Sequence, residues 1–318
     1  MIDDRVREQL EDRFTVEPLS RERFLDPLRA VRFLKGRAGD RTLVLADIGG
    51  YFAPALSEIA AALPLAGVVE DTENGLQRYE ALELPCPVFS VARSPLKNAE
   101  DYLVGSAIVF STEALLRQHG HVLQGRTACV LGFGKIGRSV AARLEALSVT
   151  TTIFDVDPVR STEAASNGYR IARSAPSAVR ESSLVVCATG RRALSEAEFA
   201  ALSPGAFVVS VTSSDDELDM QALQAYSRSW AGEHLVRYEM GDRYFFVLNE
   251  GNAVNFLHGA VLGPAIFLVQ AEVLTAIAKL TEGVQGNQLL EIDHEARKRI
   301  ARTWLEHFIW TSPIESSG

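Results

Sequence analysis

The segment Gly132-Phe133-Gly134-Lys135-Ile136-Gly137 matches G-x-G-x-x-G, a spacing that lets a backbone turn approach a pyrophosphate. Gly132 permits a tight turn, Gly134 has no side chain to block a phosphate, and Gly137 lets a helix approach a strand. The helix that follows offers unpaired N–H groups and the positive end of its dipole. Lys135 and Ile136 are therefore read with the three glycines as cofactor-binding positions. Asp155 stands eighteen residues after Gly137. A carboxylate there accepts hydrogen bonds from adenosine ribose hydroxyls and repels a 2′-phosphate, which favours NAD over NADP. Arg160 is close enough in sequence to weigh against that preference.

A second candidate is the pair Lys97 and Asp101, spaced i, i+4. A lysine held neutral by its surroundings accepts a hydroxyl proton as hydride leaves, and a neighbouring carboxylate orients the amine. The same spacing on a helix is also that of an ordinary solvated ion pair.

These residues need a scaffold, and the pattern supplies an α/β one. TLVLAD (42–47), GVVED (67–71) and PVFSVAR (87–93) are short apolar runs separated by a helical stretch at 54–63 and further polar sequence. Residues 1–38 read as helical and polar. A long amphipathic helix is expected from Asp101 to about Gly120. A second series then begins: strand 127–134, helix 135–147, strand 151–157, and a helix opening at Pro158. Strands 183–190 and 207–214 end in small polar residues, of which Thr189, Gly190 and Thr212 are read as cofactor contacts. Residues 234–250 read as a hairpin turning at Gly241-Asp242. Two helices follow Pro264, the last over 289–310. Alternating strands and helices imply parallel sheets.

Composition narrows the classes. The chain has 318 residues, 47% hydrophobic and 23% charged, with a formal charge of −9. That is enough apolar material for two α/β domains. No clustered basic surface suggests nucleic acid. Apolar runs are short and interrupted, so no membrane span is expected, and the acidic N-terminus does not read as a signal peptide. Cys86, Cys129 and Cys187 are too scattered for a disulfide framework or a metal site, and they read as buried thiols of a cytoplasmic protein.

Taken in order, LADIGGYFA (45–53), GVVEDTENG (67–75), SPLKNAEDYLVG (94–105), GFGKIG, DVDPVRSTEAASNGYRI (155–171), ATG (188–190), DELD (216–219) and NEGNAVNFLHGAVLGP (249–264) resemble the S-adenosylhomocysteine hydrolase family over about residues 42 to 280. That family holds NAD and oxidises a ribose 3′-hydroxyl, which acidifies the 4′ hydrogen. It eliminates the 5′ substituent, adds water and reduces the ketone back. The resemblance puts Lys97 and Asp101 at the catalytic lysine and aspartate. It puts Asp71 at a glutamate that grips the ribose hydroxyls, Thr72 in a nicotinamide-contacting threonine run, and Asn255 at an asparagine on the nicotinamide carboxamide. It implies a Rossmann cofactor domain over 108–261 and a catalytic domain from 1–107 and 262–318, with the active site in a closing cleft.

Several positions depart from the family. Where it has two acids before its double glycine, this chain has Asp47 and then Ile48, so Asp47 is the candidate substitute. Ser213 and Gly263 stand where the family has histidines, and His258 is the candidate replacement. Tyr102 stands at a cofactor-contacting asparagine. The first part of the usual substrate domain and the C-terminal Lys/Tyr tail have no counterpart, the chain ending in TSPIESSG. Retained parts serve NAD binding and alcohol oxidation. The expected activity is transient oxidation of a sugar or nucleoside hydroxyl that permits dehydration or related chemistry, in specialised biosynthesis. A conventional NAD-dependent dehydrogenase and a non-catalytic NAD-binding regulator are the alternatives. Homocysteine-releasing hydrolysis is a fourth, disfavoured by the missing contacts. Trp304, Phe308 and Trp310 in the terminal helix suggest a homodimer or higher homo-oligomer.

Overall fold

The computed structural model describes residues 4–17, 19–212, 217–258 and 262–310. The chain forms two compact units, Met1–Pro95 with Phe267–Gly318, and Leu96–Ile266. The boundary expected after residue 107 falls inside a helix that belongs whole to the second unit.

The first unit carries α1 (Asp4–Glu11), α2 (Arg21–Leu25), α3 (Pro27–Ala38), β1 (Leu43–Asp47), α4 (Leu56–Ala62), β2 (Leu65–Glu70), α5 (Glu73–Glu80) and β3 (Val88–Ser90). All its strands are parallel: β1 pairs with β2, β2 with β3, and β3 with β12 (Leu289–Leu290). One face of the sheet packs on Phe24, Leu34, Leu56, Ile59 and Tyr79. The other packs on Ala276 and Leu280 of α11 (Ile266–Glu282) and on Ile292 and Ala296 near α12 (His294–Phe308). Helix α12 starts at residue 294, five residues later than expected, because Asp293 caps it by accepting from Ala296 N at 2.8 Å, while Leu289 and Leu290 are drawn into the sheet.

Helix α11 is long and apolar enough by composition to cross a membrane, as the sequence reading did not anticipate. It also buries Glu272, which accepts from Arg297 Nε at 2.6 Å and from Ser94 Oγ at 2.5 Å. A carboxylate so partnered belongs to a protein core rather than to lipid.

The second unit opens with α6 (Asn98–Gln118), followed by β4 (Thr127–Leu131), α7 (Lys135–Ala146), β5 (Thr150–Phe154), α8 (Pro158–Ser166), β6 (Arg170–Ile171), α9 (Ala175–Arg180), β7 (Leu184–Cys187), α10 (Glu196–Ala201), β8 (Ala206–Ser210), β9 (Ser227–Gly232), β10 (Leu235–Met240) and β11 (Arg243–Leu248). Its sheet order is β6-β5-β4-β7-β8-β11-β10-β9. The strands from β6 to β11 run parallel in Rossmann order, and the expected hairpin β10–β11 adds antiparallel strands at one edge. Sheet order reverses at β4, so the crevice beyond the strand ends lies over the β4–α7 turn. Cys86, Cys129 and Cys187 are free and buried, and burial pushes the Cys86 thiol up to about 11.

Candidate functional site

The β4–α7 turn has the geometry that its sequence demands. Gly132 adopts φ +96, a left-handed conformation that a side chain strains, and a Cβ there would lie 2.5 Å from the Ala188 carbonyl oxygen. A Cβ on Gly137 would collide with the Gly132 carbonyl. At Gly134 the only neighbour of an added Cβ among the described residues is Arg160 Nη1, at 3.7 Å. Two of the glycines are thus required by the fold. The third leaves a bare backbone at the N-terminus of α7, where an anion can approach. Ile136 packs into the core beneath.

Asp155 is fixed at the end of β5. Its Oδ2 accepts from Phe133 N at 2.6 Å and its Oδ1 from Asp157 N at 2.8 Å. Arg160 Nη1 lies 3.8 Å from the same carboxylate, close to where the sequence suggested.

Two further loops meet this edge of the sheet. Thr189 and Gly190 follow β7, and Thr212 follows β8. A fully buried carboxylate, Glu217, joins them. It accepts from Gly190 N at 2.7 Å, Thr189 Oγ1 at 2.7 Å, Thr189 N at 3.3 Å and Thr212 Oγ1 at 3.3 Å. Burial raises the Glu217 carboxyl above its ordinary range, although these donors oppose the shift. Asn255, in a short turn over 254–258, is buried, and its Oδ1 has no hydrogen-bond partner among the described residues. The Nδ1 of His258 is likewise buried without a partner, and its ring stands edge-on to Phe110 at 6.1 Å.

Lys97 and Asp101 are both buried at the start of α6. Lys97 Nζ donates to Glu100 Oε2 at 2.7 Å. Asp101 Oδ2 lies 3.3 Å from Lys135 Nζ, at the first position of α7. The helix that Lys97 caps therefore touches the helix that follows the glycine turn.

In the first unit, Asp47 and Glu70 end the paired strands β1 and β2 side by side. Asp47 accepts from Tyr51 N at 3.0 Å, Phe52 N at 3.1 Å and Tyr79 Oη at 2.5 Å. Glu70 accepts from Gly49 N and Gly50 N, each at 3.0 Å, and from Thr72 Oγ1 at 2.7 Å. Burial pushes the Glu70 carboxyl up. These acids hold the Gly49-Gly50 turn and present Ile48 to solvent at 68% exposure. Asp71 follows Glu70 and is only partly buried. Thr72 caps α5 by accepting from Gly75 N at 3.0 Å.

Residues 108–261 match the model of the S-adenosyl-L-homocysteine hydrolase NAD-binding domain. The chain is 31% identical over 235 residues to the S-inosyl-L-homocysteine hydrolase of Methanosarcina acetivorans, covering 70% of this chain and 57% of the relative. It is 26% identical over 251 residues to the adenosylhomocysteinase of Archaeoglobus fulgidus, covering 76% of this chain and 61% of the relative. Residues 108–261 thus belong to the NAD-binding domain of the S-adenosylhomocysteine hydrolase family. The chain spans less than two thirds of the length of either relative. Among solved structures, a phosphoglycerate oxidoreductase from Vibrio cholerae is 18% identical with a TM-score of 0.45, covering 63% of this chain and 68% of that one.

NAD is the cofactor of this family's dinucleotide domain, and the residues present fit it. The bare Gly134 backbone leaves room for a pyrophosphate, Asp155 stands at the end of β5 beside the glycine loop, and the Asn255 oxygen, without a hydrogen-bond partner among the described residues, suits the N–H2 of a carboxamide. Sequence reasoning missed three acids of this S-adenosylhomocysteine hydrolase relative: Glu70, Glu100 and Glu217. Glu217 lay within the DELD segment and Glu70 beside Asp71, but a glutamate's burial leaves no mark on local sequence. Ser213 and Asp216 lie outside the described residues, and Gly263 begins a short helical turn.

Proposed function

We propose that the protein is an NAD-dependent enzyme that transiently oxidises a hydroxyl of a nucleoside-type substrate, so that a neighbouring group can be eliminated or added, and then restores the hydroxyl. The names of its relatives support the substrate class, since they are hydrolases of S-inosyl- or S-adenosyl-L-homocysteine. One observation carries the reading: the buried amine of Lys97 stands at the N-cap of α6, whose first turn meets the first residue of the dinucleotide helix through Asp101 and Lys135.

NAD, when bound, supplies the hydride acceptor. Lys97 Nζ, having passed a proton to Glu100 Oε2 across the bond between them, takes the hydroxyl proton as the C–H hydride departs, leaving a ketone. Glu100 holds the amine through its 2.7 Å bond. The ketone acidifies the adjacent C–H, and loss of that proton expels the substituent on the next carbon. Asp101 serves proton transfer, and Asp71 is assigned to the ribose hydroxyls by its place in the family motif. Asp47 accepts from Tyr51 N, Phe52 N and Tyr79 Oη, which suits it to the part of a structural acid. Exposed Ile48, in place of the family's second acid, favours elimination without readdition of water. A role in specialised biosynthesis would follow.

The test begins with denaturing purified protein and measuring nicotinamide nucleotide released per chain. The intact protein is then offered a panel of purine nucleosides and their 5′-thioethers, with reduced nicotinamide followed by absorbance. Reduction that rises and decays, and is absent in Lys97→Met, is expected. Steady accumulation of NADH would indicate a conventional dehydrogenase instead. No bound nucleotide and no reduction with added NAD would leave a non-catalytic NAD-binding regulator.

A further inference from the structure

Helices α6 and α7 approach closely at one point. A Cβ on Gly105 would lie 2.5 Å from Ser139 Oγ, and that hydroxyl donates to the Tyr102 carbonyl at 2.5 Å. One turn earlier on each helix stand Asp101 and Lys135, four residues before Gly105 and Ser139 respectively. Side chains four apart share a helix face. The register set at Gly105 and Ser139 therefore brings the Lys135 ammonium to the Asp101 carboxylate, 3.3 Å away. Asp101 is buried, whereas the Lys135 side chain is 37% exposed.

We propose that Lys135 is a positioning residue for Asp101. Its place within the glycine loop made it a candidate cofactor-binding position. The geometry instead turns its charge across the helix pair, where it holds the Asp101 carboxylate in one orientation. Gly105 and Ser139 set the distance over which it acts. The backbone N–H groups of α7 remain for the pyrophosphate. This role rests on the reading of Asp101 as a proton-transfer group.

The test is a double-mutant cycle on the full chain with Lys135→Gln, Asp101→Asn and the double variant, with Lys135→Arg as the conservative control. Two quantities are read: the NAD dissociation constant, by fluorescence titration of the nucleotide-free protein, and the single-turnover rate of NAD reduction by a reactive nucleoside at saturating NAD. Lys135→Gln is expected to slow reduction about tenfold with less than about a threefold change in NAD affinity, and Lys135→Arg to restore most of the rate. In the Asp101→Asn background, Lys135→Gln is expected to add no further loss. Equal slowing in both backgrounds would overturn the inference while leaving the proposed function intact. So would a tenfold loss of NAD affinity with a normal rate at saturation, which would assign Lys135 to the phosphates. Absence of reduction by the unaltered protein with every nucleoside would remove the functional reading, and Asp101's role with it.

Discussion

Glu217 accepts the backbone N–H of Gly190 at 2.7 Å, across 27 residues of sequence and from a fully buried position. The same carboxylate takes both the amide and the hydroxyl of Thr189. It fixes the loop after β7 by filling donors that would otherwise be free to turn. Glu217→Gln must turn an N–H2 toward one of two backbone amides. The Thr189 and Thr212 hydroxyls can rotate to suit it, but an amide cannot. The expected cost is about 1–3 kcal/mol of stability, with NAD binding weakened about tenfold. Urea unfolding and nucleotide titration measure the two effects separately.

The two buried glutamates also predict a pH dependence. Unfolded, the Glu70 and Glu217 carboxyls lose their protons near 4.5; folded, burial raises both. Between those values the folded chain binds more protons than the unfolded chain, so stability falls as pH rises. Their contribution is complete below 4.5 and lost as pH passes through the raised folded values. Denaturant midpoints measured from acid to neutral pH should slope downward more steeply in the unaltered protein than in Glu70→Gln or Glu217→Gln. Equal slopes would refute the assignment.

The glycine loop separates folding from binding. An alanine at Gly134 meets no neighbour closer than 3.7 Å among the described residues, whereas one at Gly137 collides with the Gly132 carbonyl. Gly134→Ala should therefore keep its unfolding midpoint and lose about tenfold or more in NAD affinity. Gly137→Ala should lose about 1–3 kcal/mol of stability. Calorimetry with and without NAD distinguishes the two patterns.

Asn255 makes a similar point from a side chain. Its buried Oδ1 has no hydrogen bond to lose among the described residues. Asn255→Ala should leave the nucleotide-free protein nearly as stable as before and weaken NAD about tenfold, as expected when one buried hydrogen bond to the ligand is removed. A large drop in nucleotide-free stability with unchanged NAD affinity would show that Asn255 serves packing instead.

The sequence by itself determined the dinucleotide turn, Asp155, the β10–β11 hairpin and the alternation that makes parallel sheets. Each is a local matter: a glycine where φ is positive, an apolar run of strand length, a proline at a helix start. The capping aspartate at 293 was also local, yet the helix start was misplaced, because Leu289 and Leu290 carry an apolar signal that only pairing with β3 assigns to a strand. Tertiary structure alone decided what the acids do. Glu70 and Glu217 reach donors 20 to 28 residues away, Asp47 reaches Tyr79 across 32, and Lys135 turns toward Asp101 on another helix. A charged side chain reads as surface until long-range contacts bury it, and only the folded chain makes those contacts.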